Sequence, residues 1–485
     1  MTRIVVTAFG DTPDALYDAA RKAEPHADWI EIRLDGPSGL PWDLRSFFSF
    51  AKPCIATVRH TLDGGRSGAD DATRAALLRR AVLAGATAID VEAWSDEAPR
   101  LVKEARGHGV TTIVSEHMPD TPSDKALLEA LRGMRALGAD VAKLATRAGA
   151  PHDVATLARA AQLARDEGLP FALMAVEDPF LRYAAPAFGM RLAYAHAPGA
   201  PAAAPGQPAA DALRAAHAQL GDARRFACLL GHPVSHSKSP PMQNMAFVAL
   251  AMDERYAAFD VAPEQLAGAL AGLRESGALG CNLTIPHKEA AVPLMDALDE
   301  DARAAGAVNT VVVRAGKLVG HNTDGAGALD ALAEAGAPAE GAVLLLGAGG
   351  TARAIAAALR RAGRRVTVAN RTHARAERLA REIGAAVFPW SEAVARLPTF
   401  PVVIHATSVG LVDDATPFDH RLLARDATLL DCVYRAGGTA LVRRAHARGV
   451  RAIPGEAMLL HQGARAFALW TGREAPIDDM REALA

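Results

Sequence analysis

The sequence predicts an α/β chain in two halves. A (β/α)8 barrel of the TIM type comes first, and a two-part α/β region that closes on a doubly wound sheet follows. Three observations predict this. Up to about residue 200, eight short apolar runs alternate with Ala/Leu/Arg-rich helical patterns, as a barrel requires. From Phe226 the alternation restarts. Finally, the loop Gly347-Ala-Gly-Gly-Thr-Ala352 follows an apolar run and opens an Ala-rich helix, the strand–turn–helix context of a Rossmann dinucleotide site. The chain has 485 residues, 50% of them hydrophobic, enough for about two to four separate cores.

In the first half, strands are expected at 4–9, 29–34, 55–59, 88–92, 111–117, 141–146, 171–176 and 191–196. Charged residues gather at their C-terminal ends: Glu31, Arg33, Arg59, Glu92, His117 and Lys143. In a barrel those ends open onto one face, which favours a barrel over a doubly wound sheet of the same elements. The Pro/Ala-rich stretch 197–210 has the composition of a linker. Residues 209–220 then form a helical pattern, which makes the stretch the last strand-to-helix loop and moves the boundary to 221–225. Further strands are expected at 227–230, 255–259, 280–284, 310–314, 342–346, 365–369, 402–405 and 428–431, with a terminal helix at 456–471. The expected domains are 1–222, 223–328, a Rossmann domain over 329–455, and C-terminal helices over 456–485 that pack back on the second.

The formal net charge of −2 comes without a long basic run, which argues against a nucleic-acid partner. The apolar start is too short for a secretion signal, and no stretch approaches the roughly 18 apolar residues of a membrane span. Four cysteines stand without CxxC or metal-type spacing. They predict reduced thiols in the cytoplasm and no metal. A homodimer is left open.

A strand lysine is commonly a solvated edge residue. Lys143 instead falls where both sheet faces are covered, a costly place for a charge unless it is neutral or paired. A sequestered amine is a usable nucleophile toward a carbonyl, and His117 on the neighbouring strand suits a proton shuttle. Arg33, Arg59 and Arg182 suit a carboxylate and hydroxyls. Over about residues 1–220 these pieces resemble the type I 3-dehydroquinate dehydratases, which are Schiff-base (β/α)8 barrels. The matching stretches are Glu31-Ile-Arg-Leu-Asp35, Thr57-Val-Arg59, Ile89-Asp-Val-Glu92, His117 with Thr121-Pro122, Ala142-Lys-Leu144, Met174 through Arg182, and Ala204-Pro-Gly-Gln207. The resemblance implies that Lys143 forms an imine with the substrate ketone and that His117 moves protons. Glu31, Arg33, Arg59, Arg182 and Gln207 would hold the substrate. The chain departs from the family at Asp63 (usually Glu), Met118 (commonly Asp or Asn), Ala203 (commonly Ser) and in Asp178-Pro-Phe-Leu-Arg182. These departures bear on substrate grip and loop closure more than on the covalent step.

In the second half, the glycines permit a tight turn and close approach of backbone N–H groups to a pyrophosphate. The strand that follows ends in Asn370-Arg-Thr372. An acidic side chain there would accept from the ribose hydroxyls of NAD, whereas an amide and a guanidinium suit the 2′-phosphate of NADP. Lys288 lies in the first turn of a helix opened by Pro286. That is an unfavourable place for a cation without an anion nearby or a chemical task. Asp324, taken alone, reads as a helix-cap carboxylate.

Over 226–485 the chain resembles the shikimate dehydrogenases. The matches are Gly231 through Pro240, Asn282 through Lys288, Gly306-Ala-Val-Asn-Thr310, Asn322-Thr-Asp-Gly325, the glycine loop, Asn370-Arg-Thr372, Ala406 through Gly410, Asp431 through Tyr434, and Gly455-Glu-Ala-Met458 with Gln462. The resemblance implies that Ser237 and Ser239 bind the substrate carboxylate. Thr284, Asn309, Asp324 and Gln462 would hold its hydroxyls, with Tyr434 nearby and Lys288 and Asp324 as the proton-transfer pair. Gly347, Gly349, Gly350, Ala352, Asn370, Arg371, Thr372 and Gly455 would hold NADP. His405 departs from the family's usual Asn.

Together the two resemblances imply a bifunctional enzyme acting on 3-dehydroquinate and 3-dehydroshikimate with NADPH. Two alternatives are an NADP-dependent shikimate dehydrogenase carrying an impaired barrel, and a quinate- or shikimate-oxidising NAD enzyme.

Overall fold

The computed structural model describes residues 1–435 and 437–484. The first half runs β1 (Arg3–Ala8), α1 (Pro13–Ala23), β2 (Trp29–Arg33), β3 (Cys54–Thr57), α2 (Asp71–Leu83), β4 (Ala88–Glu92), α3 (Ala98–Gly107), β5 (Thr111–Met118), α4 (Asp124–Ala136), β6 (Val141–Arg147), α5 (Pro151–Asp166), β7 (Phe171–Val176), α6 (Phe180–Tyr183), β8 (Leu192–Ala195) and α7 (Ala210–Leu220). Local chemistry starts the helices. Thr12 accepts from the Ala15 N–H ahead of Pro13 at the head of α1, and Asp70 accepts from the Thr73 N–H at the head of α2.

The strands are parallel and lie in the order β7-β6-β5-β4-β3-β2-β1-β8. At the remaining seam, Arg191 donates its N–H to the Phe171 carbonyl at 2.8 Å. This is the expected barrel. Its interior is filled by one parity of side chains, including Val5, Ile55, Ile113, Val141, Ala145, Met174 and Tyr194. Lys143 lies between Val141 and Ala145 on that inward face. Residues 197–209 form the β8–α7 connection, tied by a bridge between His196 and Ala209.

The chain continues with β9 (Phe226–Gly231), α8 (Ser239–Ala249), β10 (Arg255–Asp260), α9 (Leu266–Glu275), β11 (Gly280–Leu283), α10 (His287–Ala290), β12 (Ala297–Leu298), α11 (Glu300–Ala305), β13 (Thr310–Arg314), β14 (Lys317–His321) and α12 (Asp324–Glu334). The Rossmann part comprises β15 (Ala342–Leu346), α13 (Gly350–Arg361), β16 (Arg365–Ala369), α14 (His373–Ile383), β17 (Ala386–Val387), α15 (Trp390–Ala395), β18 (Val402–His405), β19 (Thr428–Asp431), α16 (Ala440–Ala447) and β20 (Arg451–Ile453). Helices α17 (Gly455–Thr471) and α18 (Ile477–Glu482) end the chain.

The strand pattern missed β12, β14, β17 and β20. Three of them are two or three residues long, too short for any periodicity. The fourth, β14, carries Lys317, Gly320 and His321 and is fixed by a tight turn from β13. Ala315 and Gly316 both have positive φ there (50° and 71°), as a two-residue hairpin with right-handed strand twist demands.

The chain forms two compact units. One comprises residues 1–226, 233–235 and 254–278, and the other 227–232, 236–253 and 279–485. Strand β10 and helix α9 therefore belong with the barrel, although they follow it in sequence. Phe259 of β10 stacks on Tyr183 with ring centroids 5.3 Å apart and meets Phe180 edge-on at 5.9 Å. In the second unit β9, β11, β13, β14 and β12 lie side by side, and the Rossmann strands run β17-β16-β15-β18-β19-β20. Val343, Leu345, Ile355, Leu359, Val368 and Ile404 form the core between that sheet and α13. Among the described residues no helix is long and apolar enough to cross a membrane.

Candidate active sites

Inside the barrel, Lys143 Nζ lies 2.8 Å from Asp90 Oδ2, 3.7 Å from Glu31 Oε1 and 4.2 Å from the centre of the Tyr194 ring. The amine is thus buried but paired. Glu31 is held by the hydroxyls of Thr7 and Thr57, which donate at 2.9 and 3.0 Å. Arg59 donates to Asp90 at 2.7 Å and to the Ser115 hydroxyl at 2.8 Å, and lies 3.4 Å from Glu92. Glu92 also accepts from Arg74 of α2 at 2.6 Å. Burial by itself would raise the Asp90 pKa. The adjacent Arg59 and Lys143 cations outweigh it and hold the carboxyl well below its usual range.

His117, at the end of β5, is a quarter exposed. Desolvation, with help from the Arg59 and Lys143 charges, pushes its pKa down to about 4 against the opposing effect of a hydrogen bond to the Asp63 carboxylate. Asp63 lies 3.3 Å from His117 Nδ1 and accepts the Trp94 indole N–H at 3.0 Å. Gln207 accepts from the Ala203 N–H at 2.8 Å and turns its amide toward the Thr7 hydroxyl at 3.4 Å.

Two expected residues stand apart from this cluster. Arg33 forms a two-pronged pair with Asp35 at 2.7 and 2.8 Å. Arg182 is buried and donates to the carbonyls of Ala175, Asp178 and Gly206, while its Nε has no partner. Desolvation brings its pKa down to about 10. Asp90, Arg74 and Trp94 were missed as site residues. The signal for Asp90 was its place two residues before Glu92 in a strand without an exposed face, since such residues share a side.

In the second unit, Lys288 Nζ lies 2.5 Å from Asp324 Oδ2 and 3.0 Å from the Thr351 hydroxyl, which donates to the same carboxylate oxygen at 3.1 Å. The other Asp324 oxygen accepts from Asn309 Nδ2 at 2.7 Å, and that amide also reaches Gln462 Oε1 at 3.2 Å. Asp324 is therefore no mere cap. It is buried at the first residue of α12, and its carboxylate neutralises the cation at the start of α10. Gln462 of α17 thus reaches back from the end of the chain. Asn309 is fixed in turn by the Thr310 hydroxyl and the Thr323 N–H, both donating to its Oδ1. The Ser239 N–H donates to the Ser237 hydroxyl at 3.2 Å. Tyr434 hydrogen-bonds Ser237, although burial keeps its phenol pKa raised. Thr284 closes the turn into α10, its carbonyl accepting from the His287 N–H at 2.8 Å.

The glycine loop fits a dinucleotide. Gly347 has φ 135°, and a Cβ there would meet the Ala406 carbonyl oxygen at 2.4 Å, whereas a Cβ at Gly349 would project into open space. Gly349 caps α13 without a side-chain bond, which leaves the first N–H groups of that helix for an anion. Gly350 packs toward Lys288, and Ala352 is buried on α13. Asn370 donates to the Thr372 carbonyl at 3.0 Å, beside the exposed Arg371. Gly455 allows α17 to approach the Val433 backbone, where a Cβ would lie 2.6 Å from the carbonyl. His405 is fully buried, with Nδ1 2.9 Å from Asp431 and Nε2 2.5 Å from the Thr407 hydroxyl.

Residues 4–224 match the family model of the type I 3-dehydroquinases. Residues 229–311 match the shikimate dehydrogenase substrate-binding domain, 331–412 the shikimate/quinate 5-dehydrogenases and 455–485 the shikimate 5′-dehydrogenase C-terminal domain. The shikimate dehydrogenase (NADP(+)) of Rubrobacter xylanophilus is 46% identical over 53% of this chain and 94% of its own length. The Thermus thermophilus shikimate 5-dehydrogenase, solved with NADP(H) and shikimate, is 43% identical over 53% of this chain and 97% of its own, with a TM-score of 0.51. The Corynebacterium glutamicum quinate dehydrogenase, solved with NAD, is 31% identical over 53% of this chain and 98% of its own, with a TM-score of 0.50. With both candidate clusters assembled in their own units, the chain belongs to the shikimate dehydrogenase family through its second half, and its first half carries the type I 3-dehydroquinase match over residues 4–224.

Proposed function

We propose that the chain catalyses two consecutive reactions, dehydration of 3-dehydroquinate to 3-dehydroshikimate in the barrel and NADPH-dependent reduction of that product to shikimate in the second half. The reading places the enzyme in the cytoplasm and divides the chain at 222, 328 and 455. The observation that carries it is the pair of sequestered, carboxylate-bound lysines, Lys143 with Asp90 and Lys288 with Asp324.

In the barrel, Lys143 gives up a proton and adds to the substrate ketone, and loss of water leaves a cationic imine. That cation draws electrons from the adjacent carbon and acidifies its C–H bond. His117, neutral at pH 7 because its pKa lies near 4, takes that proton and returns it to the departing hydroxyl, which leaves as water. A second water hydrolyses the imine and frees Lys143, for a net loss of one water. Arg59, Glu31 and Gln207 hold the ring substituents, and Arg33 and Arg182 complete the grip.

In the second half, bound NADPH supplies the hydride, held at Gly347, Gly349, Gly350, Ala352, Arg371 and their neighbours. Charge growing on the carbonyl oxygen is met by the Lys288 ammonium, which then donates its proton. Asp324 holds that ammonium in place. Ser237 and Ser239 bind the carboxylate, with Tyr434 hydrogen-bonded to Ser237 beside them, and Asn309, Thr284, Asp324 and Gln462 bind the hydroxyls. Asn370 and Arg371, with no carboxylate at the end of β16, favour NADP over NAD, so kcat/KM for NADPH should exceed that for NADH. A ratio at or below one would favour the NAD-dependent oxidising alternative.

The decisive experiment supplies 3-dehydroquinate alone and follows enone absorbance, then adds NADPH and follows its oxidation. The wild-type chain should show both signals, and Lys143→Ala should lose the first while still reducing supplied 3-dehydroshikimate. If the wild type forms no enone and borohydride traps no substrate on Lys143, the barrel is a scaffold.

A further inference from the structure

Helix α9 lies beyond the barrel in sequence, yet it packs against the β7–α6 connection, which touches the two segments that carry Arg182 and Gln207. We propose that Gln265 and Gly268 are positioning residues for the dehydratase site, acting through Glu177 and Asp178 on Arg182 and Gln207; this rests on the substrate roles proposed above for those two side chains.

The contacts form a continuous path. Glu177 follows β7 with φ 81°, a conformation that side chains other than glycine rarely hold without outside support. That support comes from two sides. The Glu177 N–H donates to the Pro205 carbonyl at 2.9 Å, and its own carbonyl accepts the Gln265 amide at 3.1 Å. Gly206 packs on the same peptide, where a Cβ would lie 2.5 Å from the Glu177 carbonyl carbon. The next residue, Asp178, is buried and accepts from the Phe180 N–H at 2.8 Å, just ahead of α6. Its other carboxylate oxygen faces Gly268, where a Cβ would stand 2.3 Å away. One turn on, a Cβ at Gly272 would meet the Phe180 ring at 2.6 Å. Arg182 closes the path, because its guanidinium is held by the carbonyls of Asp178 and Gly206, and Gln207 follows Gly206. The small face of α9 therefore sets the height of both loops.

The test uses full-length Gly268→Ala and Gln265→Glu. Alanine is the better helix former, so α9 alone would gain from the first change, and any loss must come from displacing the neighbours of the new Cβ, foremost Asp178 at 2.3 Å and then the Val154 methyl at 3.2 Å. Glutamate keeps the oxygen that accepts from the Ala262 N–H but removes the donor to Glu177. Each variant should raise KM for 3-dehydroquinate by about fivefold or more with little change in kcat. Dehydrogenase kcat/KM should stay at the wild-type value, and hydrogen exchange should speed up over residues 176–183 and 203–207. Unchanged KM and exchange would overturn the proposal. So would a parallel fall of both activities, which would mean general damage. A wild-type chain that forms no enone would sink the dehydratase reading instead. Hydrogen exchange would still decide this proposal, with unchanged rates overturning it and faster rates confined to those loops upholding it.

Discussion

His117 is the residue whose titration the barrel exposes most directly. Desolvation and the nearby Arg59 charge place its folded pKa at about 4, below the ordinary value of 6.5. The acid limb of the dehydratase kcat/KM profile should therefore fall near pH 4 rather than 6.5. Asp63→Asn removes an interaction that raises this pKa and should move the limb lower still, with a loss of rate. Stability has a matching sign. The folded state prefers neutral His117, so its contribution is full above pH 6.5 and is lost as pH falls toward 4, which a melting series over that range would show. Asp90→Asn should cost about 3–5 kcal/mol by leaving two buried cations short of a counter-charge, measurable by denaturant unfolding. Lys288→Ala should lower the reductase rate roughly 100- to 10,000-fold while enone formation persists. Lys143 was legible because a lone charge interrupts a buried strand. Asp90 was not, because its meaning lies in Arg59 and Lys143, which reach it from other strands across the barrel.

At the level of elements, the glycine loop joins the candidate cofactor cradle to the Lys288–Asp324 pair. Thr351 stands within hydrogen-bonding distance of both Lys288 and Asp324, so displacement of the loop would be felt at that pair. Gly347→Ala would force a side chain into φ 135° against the Ala406 carbonyl, a strain on the order of 1–3 kcal/mol. The expected result is weaker NADPH binding by titration with unchanged dehydration. The strands of both sheets were legible wherever four or more apolar residues ran together. Strand β14 escaped because its pairing is dictated by the Ala315–Gly316 turn rather than by its own composition. The position of Asp324 alone did not give its role, which only the family resemblance supplied, because a carboxylate opening a helix looks alike whether it caps the backbone or meets a lysine brought from 36 residues away.

On the scale of the whole molecule, two compact units predict two unfolding transitions. NADPH at about one hundred times its dissociation constant should stabilise the second unit by about 2.7 kcal/mol and leave the other transition in place, a contrast that calorimetry reads directly. The division of the units departs from sequence order, since residues 254–278 return to the barrel. The sequence offered one clue to this, Gly268 and Gly272 spaced four apart on one face of α9. The clue could not be read without the Asp178 and Phe180 side chains that fill the space above them. This return of the chain governs how the enzyme can be taken apart and rebuilt. A chimera that swaps residues 226–485 for a free-standing dehydrogenase would also replace the surface on which the dehydratase leans. Such a hybrid would keep its reductase and lose its grip on the first substrate unless the donor's helix is recut to present the same two glycines.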